Sequence, residues 1–314
     1  MRVNQLLRDN RIAVLALQET HLDARPAEAV MSIFGDFITV VASACEENGT
    51  GARGVAFVLN KRLLKNADFT VTELYPGRAA LLDLKWTEDR RIRLINAYGP
   101  NDMAESARFW KTLRDLRALR GRNVDVVLGD FNLVEDALDR LPARMDREAA
   151  REELTDTMTA WNLLDGWRAC NETTKAYTYL HAANGSQSRL DRIYVTEQLY
   201  RDSNVWEIRD SGLPTDHRMV TVDLSDRTLP FVGKGRWALP KHLLTDGELQ
   251  MTMKDLGAKL VDELDRMGER TAARNPQTIY KDFKDQLVRA VRKRAKEKIP
   301  KLQKMIEKVK HDLH

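Results

Sequence analysis

Cysteine is nearly absent: Cys45 and Cys170 are the only two in 314 residues. Two thiols cannot build a disulfide framework, and these lack the paired spacing of a zinc site. A reducing compartment, nuclear or cytoplasmic, is the expected setting. Long apolar runs are missing too. The stretch from Ile12 to Leu17 is far shorter than the roughly 20 residues that cross a bilayer. No basic-then-apolar leader precedes it, so membrane insertion and secretion are not expected. Internal repeats and low-complexity tracts are also lacking, which excludes solenoid and fibrous classes.

What is present is ordinary globular composition, 43% hydrophobic and 31% charged, enough for one large α/β domain with or without an appendage. The net charge of +4 conceals an asymmetry. Lys281 to Lys310 carries 12 basic residues against 4 acidic ones, a local +8 that leaves the remainder near −4. Such a run either meets phosphates or a nuclear-import receptor, or lies on a solvated helix face.

Apolar periodicity predicts a short amphipathic helix over Met1–Arg11, leading into a buried strand at Ile12–Leu17. Further short aliphatic or β-branched runs predict strands at Phe37–Ala42, Gly54–Leu59, Phe69–Leu74, Ala79–Trp86, Ile92–Ala97, Val124–Leu128, Arg189–Val195 and Met219–Leu224. Helices are expected over Met103–Arg120 and Arg147–Leu163. This mixture implies an α/β fold of two packed β-sheets flanked by helices. After Ser225, Pro230, Gly233, Gly235 and Pro240 mark an irregular connection. The division expected is a domain over residues 1–225, a linker over 226–241 and a basic helical extension over 242–314. The extension should hold helices over Asp246–Met267 and from Pro276 onward, broken or kinked at Pro300.

Acidic and amide residues recur where apolar strands end, the places at which α/β scaffolds display functional groups. Glu19 lies in Gln18-Glu19-Thr20-His21, and Tyr98 in Asn96-Ala97-Tyr98-Gly99-Pro100. Asp130 and Asn132 lie in Gly129-Asp130-Phe131-Asn132, Asp191 in Ser188-Arg189-Leu190-Asp191-Arg192, and Asp216-His217 just before the last strand. Asp130 and Asn132 are two apart, so an extended segment puts both on one side. Each block also has a plainer reading. Asp130 and Asn132 would make a turn, Tyr98-Gly99-Pro100 a turn with a packed aromatic, and Asp191 a surface network with Arg189 and Arg192.

Taken in order, these blocks resemble the endonuclease/exonuclease/phosphatase superfamily, and their wording resembles its non-LTR (LINE-like) retrotransposon endonuclease branch. The resemblance spans about residues 1–224. It implies a four-layer, DNase-I-like α/β sandwich with a C-terminal helical extension, hydrolysing phosphodiesters with Mg2+ or Mn2+. Glu19 resembles the principal metal ligand and Asp216 a second carboxylate near the metal. Asp130 resembles the residue that activates water, and Asn132 and Tyr98 resemble phosphate contacts. His217 resembles the histidine that stabilises transition-state charge, with Asp191 orienting it. Thr178, with Thr174 and Tyr177, resembles a substrate-side loop, although a strand with alternating packing would look the same. His21 and His181 read as ordinary polar surface residues.

The resemblance also shows a departure. Family members open with a strand bearing an asparagine that supports the metal site, well before the Gln-Glu block. Here Glu19 comes early, and Asn4 and Asn10 belong to the predicted helix. A domain lacking its first strand, and weak or no activity, are therefore expected. The implied partners are DNA and RNA of a parent element, with no membrane. A reverse transcriptase domain is expected in full-length relatives and absent here. The leading reading is a DNA-nicking endonuclease of a retrotransposon polyprotein. The alternatives are a superfamily phosphatase or phosphodiesterase acting on a non-DNA phosphoester, and a non-catalytic nucleic-acid-binding remnant.

Overall fold

A computed structural model describes residues 2–20, 24–43, 54–119, 121, 123–226, 239 and 243–312. His21, Cys45 and nearly all of the expected linker lie outside these residues. The chain divides into two compact units, Met1–Leu229 and Pro230–His314. No described helix is long and apolar enough to cross a membrane.

The first unit begins with α1 (Arg2–Asp9), β1 (Val14–Gln18), α2 (Ala24–Phe34), β2 (Ile38–Ser43), β3 (Val55–Asn60), β4 (Phe69–Tyr75), β5 (Ala79–Lys85) and β6 (Arg91–Tyr98). It continues with α3 (Met103–Asp115), β7 (Val126–Asp130), β8 (Arg140–Leu141), α4 (Glu148–Ala160), β9 (Leu163–Asp165) and α5 (Gly166–Cys170). Then follow β10 (Tyr179–Leu180), β11 (Gln187–Ser188), β12 (Asp191–Thr196), α6 (Glu197–Arg201), β13 (Ser203–Arg209) and β14 (Met219–Leu224). A six-stranded sheet has the order β4-β5-β6-β7-β12-β9; a three-stranded sheet β1-β3-β2, a pair β13-β14 and a small sheet β10-β11-β8 complete the set.

Strand alternation explains the layering, because successive side chains leave a strand on opposite faces. On β5, Ala79 and Leu81 face a core shared with Phe109, Trp110 and Leu113 of α3 and Leu154 of α4. The intervening Ala80, Leu82 and Leu84 face a second core, where they meet Val55, Phe57 and Leu59 of β3. On the far side of β3, Val58 packs with Leu6 and Leu7 of α1, Leu15, Ile38 and Phe34 of α2. Helices, sheet, sheet and helices thus follow one another, with apolar burial between each pair of layers as the main stabilising term.

Several elements differ from the sequence reading. The helix expected over Met103–Arg120 stops at Asp115 and tightens into a single 3-10 turn at Arg117–Leu119. Its start is fixed by Asp102, whose carboxylate accepts from the amides of Ala104 and Glu105 at 2.9 Å. The next helix ends before Leu163 because Asn162 takes φ +55°, a left-handed conformation that closes a helix. Neither α2 nor β13 was expected. Pro26 sits in the first turn of α2, where a missing amide hydrogen costs nothing. In β13 a register shift between Asn204 and Glu207, with Val205 at φ +55°, breaks the alternation that marks a strand.

The second unit holds α7 (Gly247–Asp265) and α8 (Pro276–Asp312). Asp246 caps α7, accepting from the Leu249 amide at 2.9 Å, and pairs with Arg294 and Lys298 of α8. Those partners, Arg294 first, hold its carboxyl well below the usual carboxylate range. Of the break or kink expected at Pro300, the break does not occur: α8 runs through it. Proline removes one intrahelical hydrogen bond, and helical residues on both sides keep theirs.

Candidate active site

Three adjacent strands of the six-stranded sheet bring side chains from distant sequence to one edge. Tyr98 closes β6, Asp130 closes β7 and Asp191 opens β12; Tyr98 is in register with Asp130, and Asp130 with Asp191. Two glycines allow the approach. A Cβ on Gly129, which sits at φ +143°, would lie 2.0 Å from the Ala97 carbonyl oxygen, and one on Gly99 2.2 Å from that of Phe131. Either methyl group would force the strand ends apart.

Glu19 arrives from the facing sheet, just past β1, in a left-handed conformation at φ +50°. Its carboxylate accepts a hydrogen bond from the Tyr98 hydroxyl. Burial, and then that hydrogen bond, push the Tyr98 phenol well above its usual value, so it stays a donor at neutral pH. Beneath it lies Asn96, fully buried in β6. Its amide donates to the Leu17 and Ala56 carbonyls at 3.0 Å and accepts from Gln18 at 2.6 Å. That contact fixes the end of β1 against β6.

Asp130 is 5% exposed. Burial first, and then the neighbouring Asp191 charge, push its carboxyl up to about 7, despite the opposing charge of His217 and an Asn132 amide that donates to it at 2.9 Å. Asn132 itself is left-handed at φ +47°, and its side-chain amide donates to the Gly99 carbonyl at 3.0 Å. Beside Asp130, His217 Nδ1 lies 2.8 Å from Asp191 Oδ2. Burial lowers the basicity of the imidazole, but the Asp191 hydrogen bond and the charges of Asp191, Asp130 and Asp216 outweigh it and raise the pKa to about 9. The Tyr179 ring supports it at 4.9 Å.

Glu19, Asp130, Asp191, Asp216 and His217 line one cavity. Tyr98 joins it through Glu19, and Asn132 through Asp130, while Asn132 also lines a neighbouring cavity with Asn101, Arg140, Tyr179 and His181. Asp191 is engaged with His217 rather than in a network with Arg189 and Arg192, which have other partners. Thr178 lines neither cavity. It is fully buried, and its hydroxyl accepts from the amides of Leu190 and Asp191 at 2.9 and 3.0 Å. Its role is to hold β12 at the start of Asp191. Thr174 and Tyr177 line neither cavity, whereas His181, read from the sequence as ordinary surface, lines the second.

The donor set suits a hard cation, being carboxylate oxygens without thiol. Among the described residues no group of three or more His, Cys, Asp or Glu side chains converges as a ready-made cage. Mg2+ does not require one, since it keeps several waters and takes one or two carboxylates. Glu19, oriented by Tyr98, is the residue best placed to supply one.

The profile of the endonuclease/exonuclease/phosphatase family matches residues 2–217. The chain belongs to that family. A 149 kDa protein of transposon TX1 from Xenopus laevis, itself uncharacterized, is 32% identical over 192 residues, which is 59% of this chain and 14% of that protein. Among solved structures, AP endonuclease LMAP from Leishmania major superposes with TM-score 0.59 at 21% identity, covering 69% of this chain and 79% of that one. The endonuclease domain of TRAS1, a telomere-specific non-LTR retrotransposon, superposes with TM-score 0.50 at 14% identity over 71% and 90%. These structural likenesses establish the fold.

Within this family member, some supporting residues escaped the sequence reading. Arg78 is 8% exposed and places its guanidinium 5.3 Å over the Tyr98 ring, donating to the Tyr98 carbonyl at 3.2 Å. Below the site, Arg189 pairs with both oxygens of Asp139 at 2.7 and 2.8 Å and with Asp165 at 2.7 Å. Arg192 pairs with Glu135 and donates to the Leu133 carbonyl at 3.0 Å, bracing the loop that carries Asn132. Flanking Asp191, these arginines read in sequence as surface charges; only depth in the fold distinguishes them.

Proposed function

We propose that the first unit is a divalent-cation-dependent phosphodiesterase that nicks DNA, working within a larger retrotransposon protein of the non-LTR type. The observation that carries this reading is that Asp130, a buried carboxyl near neutrality, stands beside a His217–Asp191 pair in a cleft that Glu19 also lines. A base poised near pH 7 beside a cation poised above it suits hydrolysis of a phosphodiester. The transposon TX1 relative and the likeness to the TRAS1 endonuclease domain support the retrotransposon branch.

Glu19, with Asp216 in the same cleft, would hold the cation. When bound it would act as a Lewis acid on a phosphate oxygen and stabilise the leaving oxygen. Asp130 takes the proton of the attacking water. The side-chain amide of Asn132 orients the phosphate. His217, protonated at neutral pH and held through Nδ1 by Asp191, offers its other ring N–H to the charge that develops on the phosphate oxygens. Tyr98 keeps Glu19 in place and excludes a second orientation of its carboxylate.

Supercoiled plasmid tests the reading directly. Nicked circles should appear with Mg2+, vanish with EDTA and fall sharply with Asp130→Asn. Intact plasmid alongside phosphate released from a phosphomonoester would redirect the assignment to another substrate of the same chemistry. Binding without any cleavage would point to a non-catalytic role.

A further inference from the structure

The basic residues of α8 fall on two sides of the helix with different fates. Arg294 and Lys298 are turned toward α7: Arg294 pairs with Asp246 at 3.0 Å and with Glu248 at 2.7 Å, and Lys298 also meets Asp246. The same side carries Leu287, Val291 and Ala295, which pack with Leu249 and Met253 of α7. Arg289, Lys293 and Lys296 are exposed, and they enter no ion pair with another described residue. At about 100° per residue they stand within about 60° of one another, on the side turned away from α7. Exposed Arg292 flanks them.

A solvated face does not call for this arrangement. Spacings of three and four set like charges side by side, as in Arg289–Lys293, Lys293–Lys296 and Arg292–Lys296, and each such pair works against the helix. From Val288 to Lys296 the sequence holds five cations and no acid to relieve them. Exposed positions of α7 show the ordinary mixture, with Lys254 and Lys259 among Asp255, Asp262 and Glu263. On α8 the exposed acids Asp282 and Asp285 stop about one turn before Arg289. A single-sign stripe suits a polyanion, and its surroundings narrow the class. A lipid surface takes an amphipathic helix by its apolar face, and α8 buries that face on α7. Proteins that hold single strands add aromatic platforms. The two aromatics of α8, Tyr280 and Phe283, stack on each other, and their spacing puts them on another side of the helix. Arg289 to Lys296 spans about 10 Å of rigid helix, along which duplex DNA offers about one phosphate charge per 1.7 Å.

We propose that the outward face of α8 from Arg289 to Lys296 is a docking surface for the phosphate backbone of duplex DNA, held by charge and indifferent to sequence. Arg289 and Arg292 can each meet phosphate oxygens through two N–H groups at once, while Lys293 and Lys296 act as point charges. Contacts confined to phosphate carry no sequence information, and counterion release makes the affinity fall steeply with salt. The inference is independent of the chemistry assigned to the first unit, since it requires neither a bound cation nor cleavage.

The experiment measures binding of the full 314-residue chain to labelled duplexes of unrelated sequence across a salt series, in EDTA so that no cation-dependent cleavage intervenes. The variant carrying Arg289→Gln, Lys293→Gln and Lys296→Gln should bind about eightfold more weakly per lost phosphate contact at about 0.1 M salt, and its log–log slope should flatten by about 0.9 per contact. A control carrying Lys254→Gln, Lys259→Gln and Arg270→Gln removes the same charge from exposed positions of the same unit and should stay close to the parent. In the parent itself, duplex should slow acylation of Lys293 and Lys296 and leave Lys254 and Lys259 as reactive as before, a readout that no folding defect of a variant can imitate. The proposal is overturned if the control weakens binding as much as the first variant, if the slope is unchanged, or if duplex shields other lysines instead. It is equally overturned if single-stranded DNA, polyglutamate or vesicles of anionic lipid compete as well as duplex at equal charge.

Discussion

The Tyr98 hydroxyl, at the end of β6, donates to the carboxylate of Glu19, beyond the end of β1 in the facing sheet and 79 residues away in sequence. One hydrogen bond thus ties the two sheets together at the point where the candidate metal ligand stands. Tyr98→Phe removes the donor and keeps the ring that Arg78 covers. Loss of an orienting partner of this kind typically costs about 10- to 100-fold in metal affinity or activity. The Mg2+ concentration for half-maximal nicking should rise accordingly while the melting temperature moves little; an unchanged Mg2+ dependence would strip Tyr98 of its orienting role.

Asp130→Asn keeps the shape of the side chain and its contact with the Asn132 amide but removes the base. Turnover should drop by at least the ~10²-fold typical of general-base removal, with DNA affinity within a few-fold of the parent. A comparable drop in affinity would mean that Asp130 acts on binding instead.

His217 offers a direct spectroscopic check. With its pKa raised to about 9, the ring should titrate near that value by NMR, and Asp191→Asn should bring the midpoint down toward the ordinary histidine range. The sign for stability follows from the same shift. A folded-state pKa above the unfolded value contributes stability that is full below the ordinary 6.5 and is lost as pH rises through about 9. Melting temperatures of the parent should therefore fall between those limits, and those of Asp191→Asn should fall less.

Thr178→Val is nearly isosteric and leaves the Leu190 and Asp191 amides without their acceptor. Unsatisfied buried donors cost about 1–3 kcal/mol. Chemical denaturation should register that deficit, together with a lowered His217 pKa as Asp191 loosens. A variant as stable as the parent would show that the amides find another partner.

The basic segment of α8 can be probed by charge alone. Replacing exposed Lys281, Lys293 and Lys296 with Gln should leave turnover intact. If these residues meet phosphates, the slope of log affinity against log salt should flatten by about 0.9 for each phosphate no longer neutralised. An identical slope would assign them to a solvated helix face.

The contrast between what the sequence disclosed and what it hid has a physical basis. Glu19, Asp130 and His217 were legible because each is polar and directly adjoins an apolar strand, an arrangement that packing alone does not require. The burial of Thr178 against the Leu190 and Asp191 amides is not legible in the sequence, since alternation does not say which face of a short loop segment is covered. The depth of Arg78, Arg189 and Arg192 is not legible because a charged side chain is usually solvated; Arg78 is held by the Tyr98 ring and carbonyl, and Arg189 and Arg192 by carboxylates up to 57 residues away. In β13, the left-handed Val205 hid the strand by breaking its alternation.

Asp139 is 1% exposed and receives Arg168 and Arg189 directly, with Arg192 at 3.6 Å. Three guanidinium groups thus share this carboxylate, with Asp165 and Glu135 meeting the rest of their charge, and despite its burial these neighbours hold it below the ordinary carboxylate range. Exchanging it alone would strand several cations in the interior, and exchanging any one arginine would leave a surplus of negative charge. Change at this point of the molecule has to be concerted: substitutions here should be strongly non-additive, tolerated in compensating sets and rejected singly. Lineages of this chain would then cross that position in jumps rather than steps.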